Sequence, residues 1–382
     1  MTEVSRLFKK GLLIAGGVAV VYYTLIFVIN PLGRAIIRQI AMRRHPPNPV
    51  YGVLEPTKFE EQSIEIIGAA IPKYTLNTKT GKLPNNIPPT APVYEFKPIK
   101  FSYTAGQNAR DQATYFGFTD ENLTTDLKGS VYKWRDLRTG IVLEMDITNG
   151  RVRMDTPQME QKSRLFKVGG MNESYAERQA TDMLKKLLRF DDALYPVGTN
   201  EIYLGEFYGN KIRETDDPRK AQIARVDLFR SIGEHKILGP DPKKGLLHVW
   251  VGPLESTGQG TREIVTPVTF PKIELDYWEI NAESGGIYPI ISVQQAWNIV
   301  KAHGGVIANA TPKGGSVFED EQTASVEEVL VNEIYLAYYE TPAYQKYMQP
   351  IFVFEGNYVA TGGAGGDITI YFPAVTAEWT KQ

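Results

Sequence analysis

An uncharged, mostly apolar run near the N-terminus constrains this chain more than any other feature of its sequence. No charged side chain occurs from Gly11 to Gly33. Because a helix rises about 1.5 Å per residue, about 20 such residues cross a hydrocarbon core about 30 Å thick. The run is long for the apolar part of a cleaved signal peptide, and no small-x-small cleavage site precedes the basic residues after it. We therefore predict an uncleaved signal anchor, a single transmembrane helix over residues 11–30. Its membrane-embedded side chains include Leu12, Leu13, Ile14, Val20, Leu25, Ile26 and Phe27.

Basic residues flank this run on both sides, so charge alone leaves its orientation open. Residues 1–10 form a short basic tail, and residues 31–45 form a basic amphipathic segment. The apolar stripe of that segment predicts a juxtamembrane helix against anionic head groups, with Arg34 and Arg38 at the membrane. A simple charge count would place the C-terminal flank in the cytoplasm, but that rule weakens when a large exported domain follows the helix.

Composition limits the chemistry that is open to the remaining residues. The chain of 382 residues is long enough for two or three modest domains after its membrane end. Its net charge of −2 gives no general affinity for polyanions, so no nucleic-acid partner is expected. The absence of cysteine excludes disulfides, thiolate zinc sites and thiol nucleophiles.

Beyond the membrane segment, the sequence predicts a linker followed by repeated modules. Prolines favour an extended, irregular segment over residues 46–92. A helical pattern with alternating strand patterns then recurs three times, over residues 93–156, 172–290 and 291–382. The predicted fold class is therefore α+β, with an N-terminal transmembrane helix followed by modules of one helix on an antiparallel sheet.

Several phrases carry a resemblance to a known group of proteins. NARDQATYFGF, VYKWRD and IVLEMDITNGRVRM give the order helix, glycine, strand and hairpin, while ISVQQAWNIVKAHGG and EIYLAYYETPAYQKYMQPIFVFEGN give a helix and later strands. Together with the anchor, they resemble PepSY-type modules and the YycH/YycI-type membrane-anchored regulators of the cell-wall sensor kinase in Gram-positive bacteria. The resemblance implies an extracytoplasmic regulatory or binding domain, and it favours a large C-terminal region outside the cytoplasm. It transfers no functional residue.

No catalytic, cofactor or metal-binding pattern emerges from the sequence. His235 beside Glu234 is more typical of a solvated turn than of a metal ligand, and His248 sits in an alternating strand pattern. No G-x-S-x-G elbow occurs. The glycine-rich stretch 361–367 could cradle an anion, but its flanking strand patterns favour a hairpin loop. The acidic stretch 316–328 lacks the spacing of a calcium loop. We expect no cofactor and no bound metal.

Tyrosines crowd the last predicted module. Sheet packing explains many of them, since tyrosine favours strands and its hydroxyl reaches the rim of a sheet. A tyrosine-rich surface would alternatively suit a protein or glycan partner. Residues 339–347 are polar and typical of turns, so we expect them to be exposed. The predicted partner-binding residues are Tyr335, Tyr338, Tyr339, Tyr344 and Tyr347.

Two functions are compatible with these features. The first is a non-enzymatic, membrane-tethered envelope protein that binds or regulates a membrane-protein or cell-wall partner. The second is a hydrolase of envelope polysaccharides or peptides that uses scattered carboxylates such as Asp276, Glu279 and Glu283. Hydrolysis requires two carboxylates facing each other across about 5–10 Å. The sequence favours the first function, at the cell membrane, and leaves the partner and the oligomeric state open.

Overall fold

The computed structural model of the protein describes twelve stretches of the chain. These are residues 46–60, 64–66, 72–97, 102–124, 130–137, 139–169, 171–189, 194–195, 200–253, 270–319, 322–360 and 364–381. The predicted transmembrane helix at 11–30 and the predicted juxtamembrane helix at 31–45 lie outside these stretches. Within them, no helix is long and apolar enough to cross a membrane.

The described residues form three α-helices and nineteen strands. The helices are α1 (Ala105–Tyr115), α2 (Glu173–Lys186) and α3 (Val293–Lys301). The strands are β1 (Ile64–Ile66), β2 (Lys73–Leu76), β3 (Thr90–Phe96), β4 (Val131–Arg135), β5 (Val142–Asp146), β6 (Val152–Asp155), β7 (Asn200–Tyr208), β8 (Lys211–Glu214), β9 (Ile223–Leu228), β10 (Arg230–Ile232), β11 (His235–Leu238), β12 (Leu247–Val251), β13 (Lys272–Leu275), β14 (Ile280–Pro289), β15 (Val306–Pro312), β16 (Gln322–Ala324), β17 (Glu328–Tyr339), β18 (Tyr347–Val359) and β19 (Gly365–Pro373).

Two large sheets contain most of these strands. Sheet I has nine strands along the order β10-β11-β17-β18-β19-β15, with β2 paired to β17 and β3 joining β14 to β18. Sheet II has eight strands in the order β4-β5-β6-β13-β12-β9-β7-β8, and its pairings are all antiparallel. The short strands β1 and β16 form a separate parallel pair.

This architecture contradicts the predicted α+β class of repeated helix-plus-sheet modules. Sheet II takes β4 to β6 from the first predicted module and β7, β8, β9, β12 and β13 from the second. Sheet I combines strands from all three modules. The fold is therefore mainly β. The local order of helix and strands does recur, but pairing between distant segments, rather than sequence order, determines which sheet each strand joins.

The chain passes between the two sheets four times within the described residues, and one passage is very short. Strand β9 ends at Leu228 in sheet II, and β10 begins at Arg230 in sheet I, so only Phe229 separates them. Strands that change sheets in this way form the corners of packed β structures. Phe229 is itself buried, which leaves little freedom in the angle at this corner.

A buried ion pair lies directly after this corner. The Arg230 guanidinium donates from Nη1 to Glu340 Oε2 at 2.7 Å, and both side chains are completely buried. The other carboxylate oxygen of Glu340 accepts the Trp278 N–H at 3.1 Å, and Arg230 stacks over the Tyr277 ring at 5.0 Å. Since residues 276–279 link β13 in sheet II to β14 in sheet I, the ion pair joins two of the passages between the sheets.

Amphipathic helices cover parts of both sheets. Helix α3 begins with a reciprocal capping box, in which Ser292 and Gln295 each bind the other's backbone N–H. It packs its apolar stripe into the core of sheet I, whereas α2 packs into the core of sheet II. The buried residues are Val293, Ala296, Trp297 and Val300 in α3, and Ala176, Ala180, Met183 and Leu184 in α2.

Residues 46–60, which the sequence predicts to be part of an extended linker, bind along sheet I and are called the strap here. Asn48 exchanges both backbone hydrogen bonds with Ile287 of β14, at 2.8 and 3.0 Å. Leu54 is completely buried, and its N–H donates to the Trp379 carbonyl at 2.9 Å. The strap turns at residues 49–52, and the backbone on either side of this turn pairs with neighbouring segments. The strap is therefore part of the folded body.

The Arg230–Glu340 ion pair predicts a large loss of stability on a small change. Glu340→Gln removes the negative charge that faces a buried guanidinium, and breaking such a buried pair costs about 3–5 kcal/mol. Glu279→Gln is the matched control, because Glu279 pairs with Lys97 at the exposed surface, where ion pairs contribute about 0–1 kcal/mol. Urea unfolding at constant m-value measures both losses. Equal, small losses in the two variants would contradict the structural role of Glu340.

Candidate functional site

A cleft of about 640 Å³ lies where strand ends and loops of sheet I meet sheet II. Sheet I contributes the loop after β11, the end of β15 with the loop that follows it, and the adjoining ends of β18 and β19. Sheet II contributes Tyr203 on β7 and Arg225 on β9. The volume is in the range of small-molecule sites, and the walls come from segments far apart in sequence.

Arg225 fixes two loops of the cleft from behind. Its side chain is 5% exposed and donates from Nε to Asp227 Oδ2 at 2.6 Å. One terminal nitrogen donates to the Lys243 carbonyl at 2.6 Å, and the other donates to the Val317 carbonyl. Because both carbonyls belong to cleft loops, the guanidinium holds these loops together while Asp227 neutralises its charge. Buried charges require such compensation.

Asp227 connects this arginine to His248 and Trp250. Its Oδ1 accepts the Gly245 N–H at 2.8 Å and lies 2.9 Å from His248 Nδ1. The Trp250 indole donates to His248 Nε2 at 3.1 Å, which assigns Nε2 as an acceptor and the ring proton to Nδ1. Burial lowers the pKa of His248 against the opposing influence of Asp227, so the ring is neutral.

The Asp227–His248 pair therefore differs from a catalytic dyad. A catalytic histidine needs a free nitrogen facing the nucleophile or substrate, whereas both nitrogens of His248 are already bound inside the protein. The ring is 2% exposed. The pair supports the cleft loop at Gly245 and has no access to a ligand.

Asp241 lines the cleft, and its surroundings shift the pKa of its carboxyl group. Its Oδ1 accepts the Lys243 N–H at 2.9 Å and an Asn309 side-chain N–H at 3.2 Å. Although Asp241 is partly accessible to solvent, the surrounding protein removes much of its hydration, and this desolvation raises its pKa. Asp241 can therefore serve as an acceptor or, when protonated, as a donor.

Charges around the cleft balance one another. The ion pairs are Lys243–Asp367 at 3.4 Å, Lys244–Glu274 at 3.9 Å and Lys211–Glu319 at 2.9 Å. Arg225 is neutralised by Asp227, and the remaining Lys313 and Asp241 have opposite charges. Amide and hydroxyl groups of Asn357, Thr311 and Ser316 add donors and acceptors. The lining combines polar groups with a comparable amount of apolar surface and has no strong net charge.

Gly366 brings two cleft segments into direct contact. A Cβ atom at this position would lie 1.9 Å from the Thr311 carbonyl oxygen, so only glycine allows β15 and β19 to approach this closely. The predicted glycine-rich hairpin loop 361–367 is described only from residue 364, and residues 365–367 belong to β19.

Three of the five predicted partner-binding tyrosines lie inside the fold. Tyr338 and Tyr339 are 1% and 0% exposed, and Tyr335 is half-buried and donates to Glu355. The expected exposure of residues 339–347 is therefore wrong for Tyr339. The strap covers it, because the Tyr339 ring packs on Phe59 at 4.9 Å and its hydroxyl accepts the Glu60 N–H. Burial raises the pKa of Tyr339 to about 12.

Tyr344 and Tyr347 lie nearer the surface. Tyr344 is 59% exposed, and its ring packs edge-on against Trp278 at 5.3 Å. Tyr347 is half-buried and lies 4.6 Å from the ring of Tyr51 in the strap. Neither residue lines the cleft. Their partner-binding role stays a prediction, as does that of the three tyrosines inside the fold.

The carboxylates of the hydrolase alternative have separate surroundings. Asp276 accepts two bonds from Arg153 Nη2, at 2.7 and 2.8 Å, whereas Glu279 pairs with Lys97. Glu283 is exposed in the irregular part of β14. None of the three lines the cleft. Their catalytic role stays a prediction.

Other residues considered from the sequence occupy structural positions. His235 begins β11, where its Nδ1 lies 3.1 Å from the Leu336 carbonyl oxygen, so it belongs to a strand instead of the expected solvated turn. In the acidic stretch, Glu319 pairs with Lys211, while residues 320 and 321 lie outside the described stretches. Within those stretches, no group of three histidine or acidic side chains could hold a metal ion. The predicted membrane residues, Arg34 and Arg38 included, also lie outside them.

Comparisons with known proteins identify no family for this chain. No protein-family model matches it, and no curated protein matches it. Among solved structures, it is similar to an uncharacterized protein from Eubacterium rectale ATCC 33656, with 10% sequence identity and a TM-score of 0.42. That similarity covers 79% of this chain and 87% of the other. The resemblance to PepSY-type modules stays a prediction.

The buried histidine predicts a specific pH dependence of stability. Because desolvation lowers the pKa of His248 below its ordinary value of 6.5, the unfolded chain binds this proton more readily than the folded chain. The stabilising effect is complete above pH 6.5 and decreases as the pH falls below that value toward the pKa of the folded state. His248→Asn should therefore reduce the slope of unfolding free energy against pH, by up to about 1.4 kcal/mol per pH unit.

His303→Asn is the matched control for this prediction. His303 is exposed and has a left-handed φ of 66°, a conformation that asparagine tolerates. Urea unfolding at a series of pH values measures both variants, and the control should keep the slope of the unmodified protein. A slope that His248→Asn leaves unchanged would contradict the buried neutral imidazole.

Proposed function

We propose that the protein is a non-enzymatic, membrane-tethered envelope protein whose folded part binds a neutral, hydroxyl- and amide-bearing ligand in the cleft, such as a saccharide of the cell wall. The observation that carries this proposal is the cleft itself, whose lining combines polar and apolar surface with balanced charges and whose loops are joined by Arg225.

The lining supports a neutral ligand more than a charged one. Lys243 and Lys244 at the cleft already face carboxylates, so an anionic ligand at either lysine would have to displace an existing partner. Neutral hydroxyl and amide groups can instead exchange hydrogen bonds with the side chains of Asn357, Thr311 and Ser316, whose present hydrogen bonds are to Asp367 and Asn332, to Asn309 and to the Ile212 carbonyl, respectively. Saccharides with N-acetyl groups present both kinds of hydrogen-bonding group.

The position of Arg225 supports a preformed site. Its guanidinium joins the loops at Lys243 and Val317 through hydrogen bonds to their carbonyls. A loop that is ordered before binding loses less conformational entropy when the ligand arrives. Each of the three guanidinium nitrogens of Arg225 donates one of these hydrogen bonds or the bond to Asp227, so its role in this proposal is to position the loops.

Two observations support binding over hydrolysis. Both nitrogens of His248 are bound within the core, and Asp276, Glu279 and Glu283 lie away from the cleft lining. Asp241 is the carboxyl of the cleft with a raised pKa, which suits a hydrogen-bonding role in either protonation state.

The membrane tether and the extracytoplasmic location belong to the same proposal. They rest on the uncharged run from Gly11 to Gly33, which is long enough for a membrane-spanning helix. A tethered domain remains at high local concentration near the wall polymers and proteins of its own membrane.

Binding of N-acetylglucosamine oligosaccharides tests the proposed function. The full chain should bind them in calorimetry, and Asn357→Ala or Thr311→Val should each weaken binding about two- to tenfold, since each change removes one hydrogen-bonding group. Asn298→Ala, on the exposed face of helix α3, is the matched control and should leave the affinity unchanged.

Mass spectrometry of the oligosaccharide after incubation distinguishes binding from catalysis. The binding proposal predicts an intact oligosaccharide. Cleavage that Asp241→Asn abolishes would instead support the hydrolase. If the unmodified protein fails to bind, or if the control weakens binding as much as the cleft variants, the saccharide proposal is wrong.

A further inference from the structure

We propose that the first part of the strap and the adjoining surface of sheet I lie in the head-group region of the bilayer. This surface, called the strap face here, consists of Val50, Tyr51, Val53, Tyr344, Lys346 and Tyr347. The inference rests on the membrane tether of the proposed function but not on the ligand of the cleft. It assigns a membrane-contacting surface to the folded body itself.

The strap face is held rigidly on the body. The buried Tyr288 hydroxyl accepts the Tyr51 N–H at 3.0 Å and donates to the Gly52 carbonyl at 3.0 Å. Gly52 has a positive φ of 66°, which closes the turn that begins at Pro49. The two backbone hydrogen bonds between Asn48 and Ile287 fix the other end of this turn. The side chains of the strap face therefore project from a fixed turn.

The exposed side chains of this surface have the composition of a membrane interface. Val50 is 58% exposed, Val53 is 51% exposed and Tyr344 is 59% exposed. Tyr51 packs against Tyr347 at 4.6 Å, so aromatic rings lie beside the exposed valines. Tyrosine rings concentrate at head-group level because one end is apolar and the other is polar.

The length of the preceding chain places this surface near the bilayer. The sequence predicts a juxtamembrane helix against the head groups over residues 31–45, and the described structure begins at Pro46. Val50 follows residue 45 by five residues, which span at most about 17 Å when fully extended. The strap face is thus the part of the described structure that the chain reaches first from the membrane.

Charge pairing indicates how this surface would contact lipid. Three lysines near it each face a glutamate, in the pairs Lys346–Glu95, Lys97–Glu279 and Lys381–Glu55. Attraction to anionic head groups is therefore weak. The aliphatic and aromatic side chains must supply the favourable interaction, and such contact should depend little on salt.

Strand β18 runs from the strap face to the cleft, so these two surfaces lie at opposite ends of the strand. It begins at Tyr347 in the strap face, and its residues Asn357 and Tyr358 line the cleft. At about 3.3 Å per residue, the ten steps from Tyr347 to Asn357 span about 33 Å. A strap face on the bilayer would hold the cleft at most about this far above the head groups.

Single-cysteine labelling tests the proposal, because the natural chain contains no cysteine. Val50→Cys, Val53→Cys and Tyr344→Cys each receive an environment-sensitive fluorophore in the full chain, reconstituted in nanodiscs whose lipids carry a head-group-level quencher. The control Leu137→Cys is 88% exposed and lies between β4 and β5 of sheet II. Quenching at the three strap-face positions should exceed that at the control at least about twofold.

A fluorophore on Val20→Cys, inside the predicted transmembrane helix, distinguishes failure of the strap-face contact from failure of the membrane tether. If a lipid-embedded quencher reaches position 20 but positions 50, 53 and 344 are quenched no more than the control, the membrane contact of the strap face is wrong and the transmembrane tether is retained. Protection of position 20 from that quencher would overturn both. Neither result bears on saccharide binding in the cleft.

A charge-introducing variant tests which side chains make the contact. Val50→Asp combined with Val53→Asp should at least halve the quenching at residue 344, because aspartate at the interface opposes apolar insertion. Leu137→Asp should leave it unchanged. Quenching that persists in the double variant, or that disappears when salt is raised, would overturn the apolar contact.

Discussion

The ion pair between Arg230 and Glu340 is the interaction on which the arrangement of the two sheets depends. Arg230 lies two residues after the last residue of β9 in sheet II, and the backbone N–H of Trp278, in the connection from β13 to β14, donates to the same carboxylate. Arg225 lies on the other side of Phe229 and binds the loops of the cleft. Two buried guanidinium groups, five residues apart, thus fix the junction of the sheets and the shape of the candidate site.

Such buried ion pairs are weak evidence for stability, because removing two charges from water is costly. Here the ion pairs fix the orientation of the segments that they join. A carboxylate and a guanidinium accept only a few orientations, whereas aliphatic side chains at a corner between two sheets would allow many. The same reasoning applies to the Asp227–His248–Trp250 chain, in which each hydrogen bond fixes the next group.

Local structure was more predictable from this sequence than the assembly of the sheets. The strands β4, β5 and β6 and the turn at Asn149-Gly150 follow from alternation and turn residues. In the pairing of β6 with β13, Arg153 lies opposite Glu274, which is 121 positions away. No local sequence pattern predicts a pairing between segments this far apart. The sequence does contain one indication of the candidate site. Arg225 and Asp227 lie two residues apart, on the same face of the apolar strand IARVDL, and charged residues in such a strand require buried partners.

The strap also determines when folding can finish. Leu54, near the start of the folded body, pairs with residues 379–381 at the very end of the described chain, and Lys381 pairs with Glu55. Because residues 54 and 55 are synthesised more than 300 residues before 379–381, their hydrogen bonds form only after those later residues are present. Until then, the edge of sheet I that the strap covers remains available to chaperones or to other unpaired strands.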